Sequence, residues 1–268
     1  MLPPPPPRLE DLRYGTMLAA GLGQAMVIPD IDVETASEAG YVWNEALQRW
    51  DGPPGAAKGQ KGLPVVGAEP YAKHPTCRVI WLSYDLKDGL GRRRWRPGLP
   101  PPLDLWGYVA AGGLLEAWNV GFERWIWLYV LGPRHGFPPV REEQWRCAMA
   151  KARAFGLPGA LGKAGEVMGL DTQKDKAGAA LIKKFSMPRN PTQGDPRRWI
   201  LPVYDGADAL VLASQLIEHA RAPDDSSRKL LGITARAFAR AEEDRVDTQR
   251  YGDYNETDIA TEAELMWL

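Results

Sequence analysis

The stretch Val27-Ile-Pro-Asp-Ile-Asp32-Val-Glu34-Thr35 (VIPDIDVET) fixes how the rest of the chain is read. Apolar, β-branched residues lead into acids, the pattern of a buried strand over 27–35. On a strand, residues i and i+2 face the same side. Asp32 and Glu34 therefore present two carboxylates together at the end of an apolar strand. Two close carboxylates repel unless a cation sits between them. Oxygen-only clusters suit Mg²⁺ or Mn²⁺.

Working outward, Arg78 to Leu86 (RVIWLSYDL) is rich in β-branched and aromatic residues and predicts a strand. Lys87-Asp88-Gly89 predicts a turn, and Arg92 to Arg96 a return strand. A helix is expected over 103–111, a short strand over 114–118 and a helix over 121–131. Pro133 to Val140 reads as a loop. Trp145 to Phe155 starts as a strand and becomes a helix. Further helices are expected at 157–168, 177–185, 207–221, 228–241 and 247–265. Residues 45–74 and 187–205, rich in Gly and Pro, read as loops. Pro3 to Pro7 is a polyproline segment, and Leu9 to Met26 includes a short helix. Strands come first and helices then alternate, so the class is α/β.

Composition narrows the possibilities. The 268 residues carry 33 Lys and Arg against 34 Asp and Glu, a net charge of −1. No global basic charge advertises nucleic acid, so local charge must carry that argument. The two cysteines, Cys77 and Cys147, lack Cys-x-x-Cys spacing. A disulfide framework and a zinc site are not expected, and a reducing cytoplasm fits. No stretch reaches the ~18 apolar residues of a membrane span.

Two more patterns carry polar groups. In Glu116-Ala-Trp-Asn119-Val-Gly-Phe122-Glu123, Asn119 closes a strand and is placed to cap the next helix. Phe122 is expected to point into the core, and Glu123 shares a helix face with Asn119. Open α/β sheets place their sites where strands hand over to helices in this way. In Tyr254-Asn-Glu-Thr-Asp258, Tyr254 and Asp258 share a face one turn apart. Singly, each pattern fits an ordinary strand end or helix start.

Their order and spacing together resemble the three motifs of proofreading 3′→5′ exonucleases, in the subclass that uses tyrosine. The resemblance is closest to the exonuclease domain of bacteriophage family A DNA polymerases. It extends to Ala117–Trp127, Gln144–Lys151, Gly156–Leu161 and Gly169–Lys176. It implies an RNase H-like fold, a mixed five-stranded sheet flanked by helices. It divides the chain into a Pro-rich extension, 1–25, and an exonuclease domain, 26–268, with a helical insertion at about 205–240. It implies two Mg²⁺ or Mn²⁺ ions: Asp32 bridges both, Glu34 and Asp258 complete the site of one, and Glu123 holds the second. Tyr254 orients the attacking water, and Asn119, Thr35 and Phe122 lie near the terminal nucleotide. The substrate implied is single-stranded DNA or a DNA 3′ end, in a bacterial host's cytoplasm if phage-encoded.

Arg92-Arg-Arg94-Trp95-Arg96 and Arg197-Arg198-Trp199 interleave basic and aromatic residues. Arginines neutralise phosphates and aromatics stack on unpaired bases. Equally, Trp95 and Trp199 are core anchors beside solvated arginines. Lys174, with Lys176, is a further candidate contact. The sequence departs from the family in two places: Glu123 stands where the wider family has Asp, and Trp118 where phage relatives usually have His. The chain ends about ten residues after Asp258, which fits a split polymerase subunit, a free-standing nuclease or an excised fragment. A separate DNA polymerase subunit is then an expected partner. The competing expectation is a weak or inactive module that binds nucleic acid or a polymerase. The motifs do not separate DNA from RNA, because the ions engage the phosphate.

Overall fold

The computed structural model describes residues 28–170, 176–192, 195–220 and 227–266. The Pro-rich extension, the helix expected over 9–26 and Lys174 lie outside the described residues. The chain divides into two compact units. Among the described residues, the first comprises 28–35, 67–170 and 255–266, and the second 36–66, 176–192, 195–220 and 227–254.

The first unit is built on a five-stranded sheet with the order β5-β4-β1-β6-β7. Its strands are β1 (Asp30–Ala36), β4 (Arg78–Asp85), β5 (Arg93–Trp95), β6 (Leu115–Ala117) and β7 (Trp145–Cys147). β1 runs parallel to β6, and β6 parallel to β7, whereas β4 and β5 are antiparallel. With helices flanking it, this mixed sheet is an α/β fold consistent with an RNase H-like architecture. β1 and β4 are central, which explains their apolar character: Ile31, Ile80 and Leu82 are fully buried.

The intervening helices are α2 (Ala68–Lys73), α3 (Leu103–Ala110), α4 (Val120–Ile126), α5 (Gly132–His135), α6 (Ala148–Ala154) and α7 (Leu161–Met168). The helix expected over 121–131 is α4 continued by a π-helical turn, Trp127–Leu131, into α5. Pro133 explains the widening, since it has no N–H to donate to Tyr129 and its ring crowds that carbonyl. The segment expected as a loop from Pro133 is thus helical as far as His135. The helix expected from Leu157 begins at Leu161.

Aromatic residues fill this unit. Phe137 meets Trp95, Trp106 and Trp127 at ring-centroid distances of 5.0, 5.4 and 5.2 Å. All three contacts are edge-to-face, the geometry favoured by the ring quadrupoles.

The segment expected as a loop over 45–74 contains structure: α2 in the first unit, and further elements in the second. β2 (Val42–Asn44) and β3 (Arg49–Asp51) form an antiparallel hairpin, and α1 (Leu63–Val66) follows it. The cross-strand pair Trp43–Trp50, 5.3 Å between centroids, packs the hairpin, and the Gly and Pro of the segment begin only after it, at Gly52. Gln48 takes a left-handed conformation, φ 48°, to close the connection.

The remaining helices are α8 (Lys176–Ser186), α9 (Gly206–Ala220) and α10 (Ser227–Met266). The helices expected at 228–241 and 247–265 are one 40-residue helix, α10. No Gly or Pro interrupts 241–251 (AEEDRVDTQRY), and Arg245 pairs with Glu242 across one turn. Its buried positions Ala237, Ala241, Asp244, Thr248 and Tyr251 step by three or four, one continuous stripe. Its turns from Asn255 onward belong to the first unit.

Candidate active site

β1 sets the site. Ile31 and Val33 point into the core, 0% and 4% exposed, so the alternate positions Asp30, Asp32 and Glu34 share the other face. Asp32 and Glu34 are half-buried and Asp30 is buried. Glu123, in the first turn of α4, is buried, and Asp258, on α10, is half-buried.

The structure brings these four expected acids, all in the first unit, into one electrostatic neighbourhood. Burial raises the Asp32 pKa well above the usual carboxylate range, and Glu34, Asp258 and Glu123 push it further. Glu123 is raised to about 8, by burial and then by Glu34. Such shifts follow when buried carboxylates face one another without positive charge between them.

Three further acids belong to the neighbourhood, and sequence reasoning missed them. Asp30 is raised to about 6 by burial, against the opposing pull of Lys87. Lys87 Nζ lies 2.5 Å from Asp30 Oδ2 and 3.4 Å from Asp85. Glu116, opposite Asp30 in the β1–β6 register, is buried and raised by that burial. Lys151 stands 3.9 Å from Glu116. Glu262 is raised by burial and by Asp30, Asp32, Glu123 and Glu116. The signals were available: Asp30 is two residues before Asp32 on a strand, and Glu262 four residues after Asp258 on a helix. Asn255, fully buried, donates its side-chain amide to Asp32 Oδ2.

Among the described residues, no three His, Cys, Asp or Glu side chains stand close enough to share one ion as placed. The chemistry of the set nevertheless fits a hard divalent cation. The donors are all oxygen, and Glu123 Oε2, Glu262 Oε1 and Asn255 Oδ1 are buried acceptors that receive no hydrogen bond.

The other expected residues fare unevenly. Thr35 is buried and its hydroxyl lies 3.2 Å from the Tyr71 hydroxyl. Asn119 occupies the N-cap position of α4 but makes no side-chain cap bond; its carbonyl accepts from Phe122 N at 2.8 Å. Its side chain is exposed, free of the helix end it was expected to cap. Phe122 is half-buried against Tyr71, 5.8 Å between rings, and not in the core as expected. α2 offers it an aromatic shelf rather than a cavity. Trp118, at the departure from the family, donates Nε1–H to the Gly159 carbonyl at 2.9 Å.

Trp95 is a core anchor and not a stacking surface. It is 5% exposed, it donates to the Pro100 carbonyl, and its ring packs on His135 and Phe137. Arg94 is engaged by Glu256 at 2.6 Å. Glu256 is two residues before Asp258, which holds Arg94 near the acid-bearing end of α10.

In the second unit, Tyr254 stands on α10 one turn before Asp258. It is buried, and it stacks on Tyr251, which stacks on Phe185. Arg198 lies over the Trp43 ring at 3.7 Å, and Trp199 donates to Glu38 at 2.7 Å. Trp199 is thus tied to a carboxylate, while Arg198 stacks its exposed guanidinium on an aromatic face and lies 3.8 Å from the exposed Glu45 carboxylate. Cys77 and Cys147 form no disulfide. Among the described residues, no helix is long and apolar enough to cross a membrane.

The fold and this cluster define an α/β protein with buried acids gathered at its central strand. Over 82 residues the sequence is 39% identical to the DNA polymerase of Bacillus phage SP02. That match covers 31% of this chain and 12% of the phage polymerase. The chain therefore contains a region related to a phage DNA polymerase. No family model matches the chain, and no solved structure matches it.

Proposed function

We propose that this protein is a divalent-cation-dependent 3′→5′ exonuclease that removes 3′-terminal nucleotides from DNA, proofreading for a phage-type family A DNA polymerase. The observation that supports it most is the mutual influence of Asp32, Glu34, Glu123 and Asp258, four acids drawn from three motifs in the order the family uses. The relationship to a phage DNA polymerase supports a polymerase-associated setting.

In this reading Asp32, Glu34, Glu123 and Asp258 hold two Mg²⁺ or Mn²⁺ ions. Bound there, the ions supply Lewis acidity for an in-line displacement at phosphorus. Asn255 fixes the orientation of Asp32. The Tyr254 hydroxyl orients the attacking water. Water oxygen bonds to the terminal phosphorus, the bond to the 3′ oxygen of the penultimate nucleotide breaks, and that oxygen takes a proton. The product is a nucleoside monophosphate. Arg198, on its aromatic support, is suited to a phosphate or an unpaired base.

A 3′-labelled single strand incubated with the protein and Mg²⁺ or Mn²⁺ should release mononucleotides, and Asp32→Ala should abolish release. Persistent hydrolysis by that variant rules out the assignment. Matched DNA and RNA strands identify the preferred sugar.

One observation favours a second reading, a non-catalytic module that binds nucleic acid or a polymerase. The acids influence one another without three of them closing on one centre. Tight DNA binding without hydrolysis in any divalent metal supports this alternative, and full turnover excludes it.

A further inference from the structure

Glu262 lies outside the four acids assigned to cations above, yet its surroundings match theirs. It stands on α10 one turn beyond Asp258, so the two project from the same helix face. It is 2% exposed, and its Oε1 accepts no hydrogen bond. The groups that act on it electrostatically are Asp30, Asp32, Glu116 and Glu123, every one an acid.

A buried acid that serves structure alone normally accepts a donor or meets a fixed cation. The nearby lysines are engaged with other acids, Lys87 with Asp30 at 2.5 Å and Lys151 with Glu116 at 3.9 Å. One oxygen on each of two neighbours is in the same state. Glu123 Oε2 and Asn255 Oδ1 are likewise buried acceptors without a hydrogen bond. Asn255 meanwhile donates to Asp32, and Asp32 is among the acids that act on Glu262. Burial favours the protonated form of such a group, and a divalent cation from solution satisfies its ionised form.

We propose that Glu262 is a fifth carboxylate of this site, a further oxygen donor to the divalent ions held by Asp32 and Glu123. The inference rests on the cation-dependent reading and deepens it. A fifth carboxylate would strengthen cation binding, and without the cation it adds repulsion to an acid-rich interior.

The test measures Mn²⁺ binding by calorimetry, and thermal unfolding in EDTA and in MnCl₂, on the full chain carrying no change, Asp32→Asn or Glu262→Gln. Glu262→Gln should melt no lower than the parent in EDTA, because one repelling charge is gone. Its Mn²⁺ affinity should fall roughly tenfold or more, on the scale of losses at metal-supporting residues. The rise in melting temperature on adding Mn²⁺ should shrink with it. If Glu262→Gln binds Mn²⁺ like the parent while Asp32→Asn does not, Glu262 is no donor and the inference falls alone. If Asp32→Asn also binds like the parent, the cation-dependent reading falls with it. Should Glu262→Gln fail to fold, Glu262→Asp decides. Weakened Mn²⁺ binding with parental melting in EDTA supports the inference, and parental affinity overturns it.

Discussion

The side-chain amide of Asn255 donates a hydrogen bond to Asp32 Oδ2, joining residues 223 positions apart. The bond ties the end of α10 to the central strand at the residue the proposed chemistry depends on most. Asn255→Ala is expected to lower kcat for release of labelled nucleotides while leaving KM little changed, since it frees the Asp32 carboxylate to rotate. Hydrogen bonds to charged groups are worth ~1.5–3 kcal/mol, and stability should fall by about that much. Parental kcat in this variant would mean that the bond positions nothing.

Stability in EDTA should decline as pH rises. Glu123 titrates at about 8 in the folded chain, against 4.5 for an ordinary glutamate. The folded state therefore binds the proton more tightly than the unfolded one, and stability is lost between about pH 4.5 and 8. The loss should be on the order of a few kcal/mol. Glu123→Gln should flatten this slope, and MnCl₂ should reverse it at the alkaline end. A parental slope in Glu123→Gln, read from melting curves across this range, would contradict the burial argument.

Removing the partner of Asp30 should be costly. Lys87→Met leaves a buried carboxylate without its 2.5 Å ammonium neighbour. Breaking one side of a buried pair costs ~3–5 kcal/mol. The Asp30 pKa, already raised to about 6, rises further when Lys87 is absent. The destabilisation should thus be larger at pH 8 than at pH 5, where Asp30 takes up a proton. Adding Asp30→Asn to Lys87→Met should recover most of the loss in urea unfolding. Equal destabilisation at both pH values would contradict it.

Gly178 on α8 lets the Tyr254 ring lie against its backbone, because a Cβ there would collide with that ring. Gly178→Ala must move Tyr254 or α8. Overpacking of this kind costs ~1–3 kcal/mol. If Tyr254 orients the attacking water, activity should fall beyond the stability loss. Activity equal to the parent's, assayed well below the melting temperature, would separate Tyr254 from the chemistry.

The legible part of the molecule is the part governed by local periodicity. Strands β4, β5 and β7 and helices α3, α6 and α8 follow from β-branched runs, turn residues and apolar spacing. The hairpin over 42–51 was hidden because its strands are three residues each, too short for a period-2 pattern to show, and because its packing comes from Trp43 facing Trp50. Trp95 and Arg94 are neighbours in sequence with opposite fates, one packed on Phe137 and the other paired with Glu256. Sequence alone weighed the two fates evenly, because exposure is decided by what the chain lays over each side chain.

By itself, the sequence determined that Asp32 and Glu34 share a strand face, that Tyr254 and Asp258 share a helix face, and that the class is α/β. These are consequences of backbone repeat, which acts over a few residues. Only the tertiary structure decided that Glu123 and Asp258 act on Asp32, that Asp30, Glu116 and Glu262 join them, and that Asn255 holds Asp32. Burial and Coulomb interaction depend on distance through space, and the sheet and α10 bring together acids that the chain keeps more than two hundred residues apart.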